Sequence, residues 1–83
     1  MYSHTLNDIM PGQRAVVVRI TGTGTIRRRL LEMGIISGTM VEMIRYAPLG
    51  DPVEIKTNGT LLSLRKEEAA LIEIAITGQE EMQ

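Results

Sequence analysis

The sequence predicts a mainly β fold: a small closed or partly open barrel of about five short strands, with one short helix between the first and second. Three observations carry this expectation. Apolar residues make up 43% of the chain and fall in runs that alternate or are β-branched, as strands require. Turn dipeptides interrupt those runs at short intervals. The 83 residues suffice for one core and are too few for two. Several short strands that must hide their edges favour a barrel.

Thr5 to Met10 reads as a short turn feeding Pro11-Gly12, where proline presets one dihedral and glycine tolerates a positive φ. Gln13 to Ile20 follows as the central strand. Its run of Ala15, Val16, Val17, Val18 and Ile20 predicts burial on both faces for part of its length. Thr21 to Thr25 breaks the strand, and Ile26, Leu30 and Met33 then recur on one helical face, so a helix is expected over Ile26 to Met33. Thr23 or Thr25 is the expected N-cap and Gly34 the left-handed C-terminal stop.

Thr39 to Tyr46 is the next strand, with Val41 and Met43 alternating against Glu42. Ala47-Pro48-Leu49-Gly50-Asp51-Pro52 cannot continue a ladder and reads as a hairpin loop. Val53 and Ile55 alternate with Glu54 and Lys56, giving a strand with one dry and one wet face. Asn58-Gly59 predicts a type I′ turn, and Leu61, Leu62 and Leu64 return. Arg65 to Ala70 is expected to form a short helical or 3₁₀ turn. Leu71 to Ile76 closes the fold with Ile72, Ile74 and Ile76 on one face. One domain over 1–78 and a polar tail over 79–83 are expected.

Composition narrows the function. The chain has no cysteine, hence no disulfide, thiolate ligand or thiol nucleophile, and a reducing compartment is the natural setting. The first residues lack the pattern of a secretory signal, and no stretch approaches the roughly 20 apolar residues of a membrane span. A soluble, cytoplasmic protein without membrane insertion is expected. Nine basic and ten acidic residues give a formal charge of -1, which argues against non-specific nucleic-acid binding.

The order of residues also resembles a known family. Leu6 with Pro11-Gly12-Gln13, then Arg28-Arg29-Leu30-Leu31-Glu32-Met33-Gly34-Ile35 and Gly38-Thr39, then Ala47-Pro48-Leu49-Gly50-Asp51-Pro52, and finally Leu64-Arg65-Lys66 and Glu68-Ala69 before the closing aliphatic strand resemble the ferrous-iron transport protein A family, FeoA. Several blocks in order are far more specific than any one of them. The resemblance implies an SH3-like barrel and an accessory role in bacterial ferrous iron uptake. It also implies a partner, the FeoB-type membrane transporter with its cytosolic GTP-binding domain, and a role in assembling or regulating it.

Candidate sites follow from the residue types. No catalytic residue is expected, because acid–base or nucleophilic chemistry needs a positioned pair and the one histidine, His4, has no obvious companion. A metal site shared between two copies through His4 and Asp8 stays open, and no metal ligands within the chain are assigned. Glu67 and Glu68 read as solvated carboxylates favoured by a helix N-terminus. Gly22-Thr23-Gly24-Thr25 precedes a helix as an anion loop would. It lacks the Gly-Lys-Ser/Thr ending of a P-loop and the third glycine of a dinucleotide loop, so no cofactor is expected.

Arg27, Arg28 and Arg29 fan around the helix by about 100° per residue, so at most two can face a partner while another lies along the barrel wall. They serve either as a solvated face or as forks for carboxylates. In the loop, two prolines lower the ordering cost of binding. Leu49 at its tip either stands exposed, able to enter a pocket, or folds back onto the barrel. Arg27, Arg28, Tyr46, Leu49 and Asp51 form the expected partner-binding set. The alternatives to a docking module are a small nucleic-acid-binding barrel and a metal-responsive regulatory domain. Self-association stays open.

Overall fold

The computed structural model describes residues 4–77. Tyr2, the expected tail 79–83 with Glu80 and Glu81, and the far end of the expected domain lie outside them. Six strands and two helices follow in order: β1 (His4–Thr5), β2 (Arg14–Ile20), α1 (Thr25–Glu32), β3 (Met40–Tyr46), β4 (Val53–Thr57), β5 (Thr60–Leu64), α2 (Lys66–Ala69) and β6 (Ile72–Thr77). All ladders are antiparallel and the sheet order is β1-β6-β2-β3-β4-β5.

Two expectations are corrected here. Among the described residues there are six strands rather than five, because His4 and Thr5 pair with Ile74 and Glu73; two residues are too few to show a period. The helix consequently lies between the second and third strands. No ladder joins β1 to β5 among the described residues, so the sheet is open in its hydrogen bonding where a closed barrel had been one expectation.

β2 lies between β6 and β3, the interior position its composition predicts, but only one of its faces is dry. Ala15, Val17 and Ile20 are buried, Val16 is half-buried and Val18 is exposed. A β-bulge between Val17 and Arg19 inserts a residue and shifts the phase, which is why apolar residues fall consecutively without burial on both sides. A second bulge lies between Met43 and Arg45.

The start of α1 also differs from expectation. Gly24, with φ of 86°, is the N-cap and no side chain caps the helix, so neither Thr23 nor Thr25 does. Its end is as read: Gly34 adopts φ of 91°, and the Ile35 and Gly34 N–H groups donate to the Leu30 and Leu31 carbonyls at 3.1 and 3.0 Å. This paired bonding is the Schellman stop. Leu30 is fully buried while Ile26 and Met33 pack partly beside it. Leu6, the first residue of a 3₁₀ turn capped by Thr5, and Ile9 just after it plug the same core with Ile35, Met43, Ile55 and Ile72.

Candidate partner-binding surface

The loop between β3 and β4 is built as a tight turn. Gly50 N–H donates to the Ala47 carbonyl at 2.7 Å and Ala47 N–H to the Pro52 carbonyl at 2.9 Å. Pro48 presets the first bend, and Gly50 supplies the φ of 88° that a side chain resists. Leu49 stands at the apex and is 95% exposed. Of the two readings of this residue, the geometry gives the exposed one.

Tyr46 and Asp51 brace the base of this turn. The Tyr46 hydroxyl donates to the Ile9 carbonyl, and the Asp51 carboxylate accepts from the Lys66 N–H at 3.0 Å, at the first turn of α2. Both residues remain partly accessible. An apolar apex on a loop held at both ends loses little freedom on binding.

α1 divides its arginines as the fan requires. Arg27 and Arg28 are exposed and line a pocket of about 310 Å³ with Gly22, Thr23, Gly24 and Leu31. Arg29 turns instead to the carboxylate of Glu68. That pair overturns the reading of Glu68 as a solvated carboxylate, since it is 3% exposed. Its second oxygen accepts from the Arg65 N–H at 2.9 Å, so one buried acid ties α1 to α2. Periodicity could not reveal this, because the partners are 39 residues apart.

A pocket of about 330 Å³ is lined by Arg29 from α1, Asp51 and Pro52 from the loop, and Ser63, Arg65 and Glu68. A neighbouring pocket of about 470 Å³ has Tyr46, Ala47, Pro48 and Pro52 in its wall. Ser63 and Arg65 were not expected at a functional surface, and nothing in their local sequence signals it.

His4 lies exposed in β1, and the Asp8 carboxylate accepts from the Thr5 N–H at 2.7 Å. No group of three His, Cys, Asp or Glu side chains suited to a metal gathers among the described residues. The pairs Arg19–Glu73 at 2.8 Å and Arg45–Glu54 at 2.7 Å lie at the surface, where such pairs contribute about 0–1 kcal/mol. Among the described residues no helix is long and apolar enough to cross a membrane.

Comparison with known proteins adds what geometry does not. The FeoA domain model matches residues 4–76. A Fe(2+) transport protein A/Fe(2+) transporter FeoB fusion protein from Porphyromonas gingivalis is 41% identical over 71 residues, covering 86% of this chain and 8% of the fusion. The solution structure of iron(II) transport protein A from Clostridium thermocellum is 36% identical with a TM-score of 0.86, over 90% of this chain and 46% of that one. The chain thus spans less than half the length of either. A zinc complex of FeoA from Stenotrophomonas maltophilia, described as a prokaryotic SH3 domain protein, is 29% identical with a TM-score of 0.78, over 87% of this chain and 89% of that one.

Proposed function

The chain belongs to the FeoA domain family, and from that premise we propose that it is a non-enzymatic accessory unit of ferrous iron uptake, docking on the cytosolic GTP-binding side of a FeoB-type membrane transporter to assemble or regulate it. One observation carries this reading: a relative 41% identical to this chain is covalently joined to FeoB. Fusion holds two partners at an effective concentration of about millimolar. A separate chain doing the same work needs a surface that binds. Leu49 on its braced loop supplies an exposed apolar side chain able to enter a partner's pocket at low ordering cost, and Arg27 and Arg28 supply forks for acidic groups.

Titrating labelled chain into the full-length transporter tests the reading. Wild type should form a saturable complex, with Leu49→Ala weakening it about tenfold, the loss typical of a central anchor, and Arg28→Ala weakening it a few-fold, as a rim charge does. If wild type shows no complex, the docking role fails. If wild type binds and neither substitution matters, the surface is wrong.

A further inference from the structure

The sheet order ends on β1 and β5, and an edge strand presents unpaired backbone groups. β5, Thr60–Leu64, has five residues, no charge, no proline and no register shift against β4. The two-residue turn at Asn58-Gly59 makes Thr57 and Thr60 the closing pair, which in such hairpins is hydrogen-bonded. Pairs then alternate: Ile55 with Leu62 and Val53 with Leu64 are bonded. Leu61 and Ser63 turn their N–H and C=O groups outward, and no backbone partner meets them from elsewhere among the described residues.

Two pockets meet at Ser63 and Pro52. The larger is lined by the Arg45–Glu54 ion pair on one part and by Tyr46, Ala47, Pro48 and Pro52 on another, and that second part suits an apolar side chain. In the smaller one two carboxylates meet two guanidiniums. Glu68 accepts from Arg29 and from the Arg65 N–H, and one Asp51 oxygen accepts from the Lys66 N–H. The Ser63 hydroxyl and the Arg65 guanidinium have no partner among the described residues, and Arg29, 58% exposed, meets Glu68 through one terminal nitrogen. The unpaired Arg65 guanidinium, with the free nitrogens of Arg29 beside it, presents a fork that a further carboxylate fits.

We propose that this trough beside β5 binds an extended segment of a partner protein, added as a strand to the edge at Leu61 and Ser63, with an apolar side chain in the Tyr46–Pro48 pocket and a carboxylate on Arg65 and Arg29. Residues i and i+2 of a strand share a face, so the recognised pattern is an apolar residue, any residue, then Asp or Glu. A second copy pairing through the same edge brings only Thr60–Leu64, which contains no acid, and leaves these donors unmet. The inference rests on the reading of the chain as a docking unit and is independent of which protein carries the segment.

The test uses the isotope-labelled chain and the peptide acetyl-Thr-Val-Leu-Thr-Asp-Thr-amide, with an Asn-for-Asp peptide as control, followed by amide chemical shifts. Saturable shifts are expected at Leu61, Ser63 and Arg65, with the Asp peptide binding about tenfold tighter, the lower end of what a hydrogen bond to a charged group contributes. Arg65→Gln should abolish that preference while keeping the backbone N–H that Glu68 uses, and Leu49→Ala should leave it intact. Equal binding of the two peptides, shifts centred on α1 instead, or no saturation at millimolar peptide would overturn the proposal. Shifts at β5 that follow protein concentration alone would assign the edge to a second copy and overturn it too. The transporter titration is a separate measurement, so the partner's identity and the trough can fail independently.

Discussion

Glu68 shows how one residue can carry both stability and the shape of a surface. A carboxylate that is 3% exposed holds the Arg29 side chain of α1 and the Arg65 N–H that opens α2. Removing it leaves that N–H without its acceptor, although Arg29, more than half exposed, can turn to water. Glu68→Ala should therefore cost about 2–3 kcal/mol, the scale of hydrogen bonds to a charged group plus an unsatisfied donor. Urea denaturation checks this, and a loss below about 0.5 kcal/mol would mean the pair is ornamental. Leu49 is the opposite case. At 95% exposure its truncation should change stability by no more than about 0.5 kcal/mol, so any effect of Leu49→Ala on binding reports the surface and not the fold.

At the scale of elements, turn chemistry decides where each strand stops and hence which edge remains free. Asn58 and Gly59 adopt φ of 53° and 77°, the two positive values that a type I′ hairpin needs. A Cβ at Gly59 would meet nothing within 4 Å, so Gly59→Ala tests the backbone preference without a clash. A cost of about 1–2 kcal/mol is expected from the left-handed conformation alone, read from the same denaturation experiment. Because the turn sets the register that points Leu61 and Ser63 outward, the variant should also weaken peptide binding at β5 by more than its loss of stability explains. An unchanged affinity would separate the hairpin's register from the proposed edge.

For the molecule as a whole, one core draws on the described elements from the 3₁₀ turn to β6, and its margin is thin: a domain of this size is stable by about 4–12 kcal/mol. Ile55 sits fully buried between Met43 of β3 and Leu62 of β5. Ile55→Ala should cost about 2–5 kcal/mol through lost burial and a residual cavity, which is a large part of that margin. A fall in Tm of about 4–8 °C for each kcal/mol is expected, followed by thermal unfolding. A shift of less than a few degrees would show that the core relaxes around the loss. Since Leu49, Arg28 and Ser63 stand on elements sharing this core, such a variant should lose docking only in proportion to its unfolded fraction.

The sequence alone determined the mainly β class, the order of elements from β2 onward, the Gly34 stop, the Asn58-Gly59 hairpin and the family, because each rests on local dihedral preference or on blocks of residues in fixed order. It also placed Leu49 on a braced loop. Tertiary structure decided the rest. Whether Leu49 points to water, why consecutive valines in β2 are not all buried, and that β1 exists at all depend on bulges and pairings between distant segments. The Arg29–Glu68 pair joins residues 39 positions apart, and the β5 trough gathers side chains from α1, three strands, a loop and α2. Periodicity measures what a residue does relative to its neighbours in the chain. It says nothing of groups brought together only when the core closes.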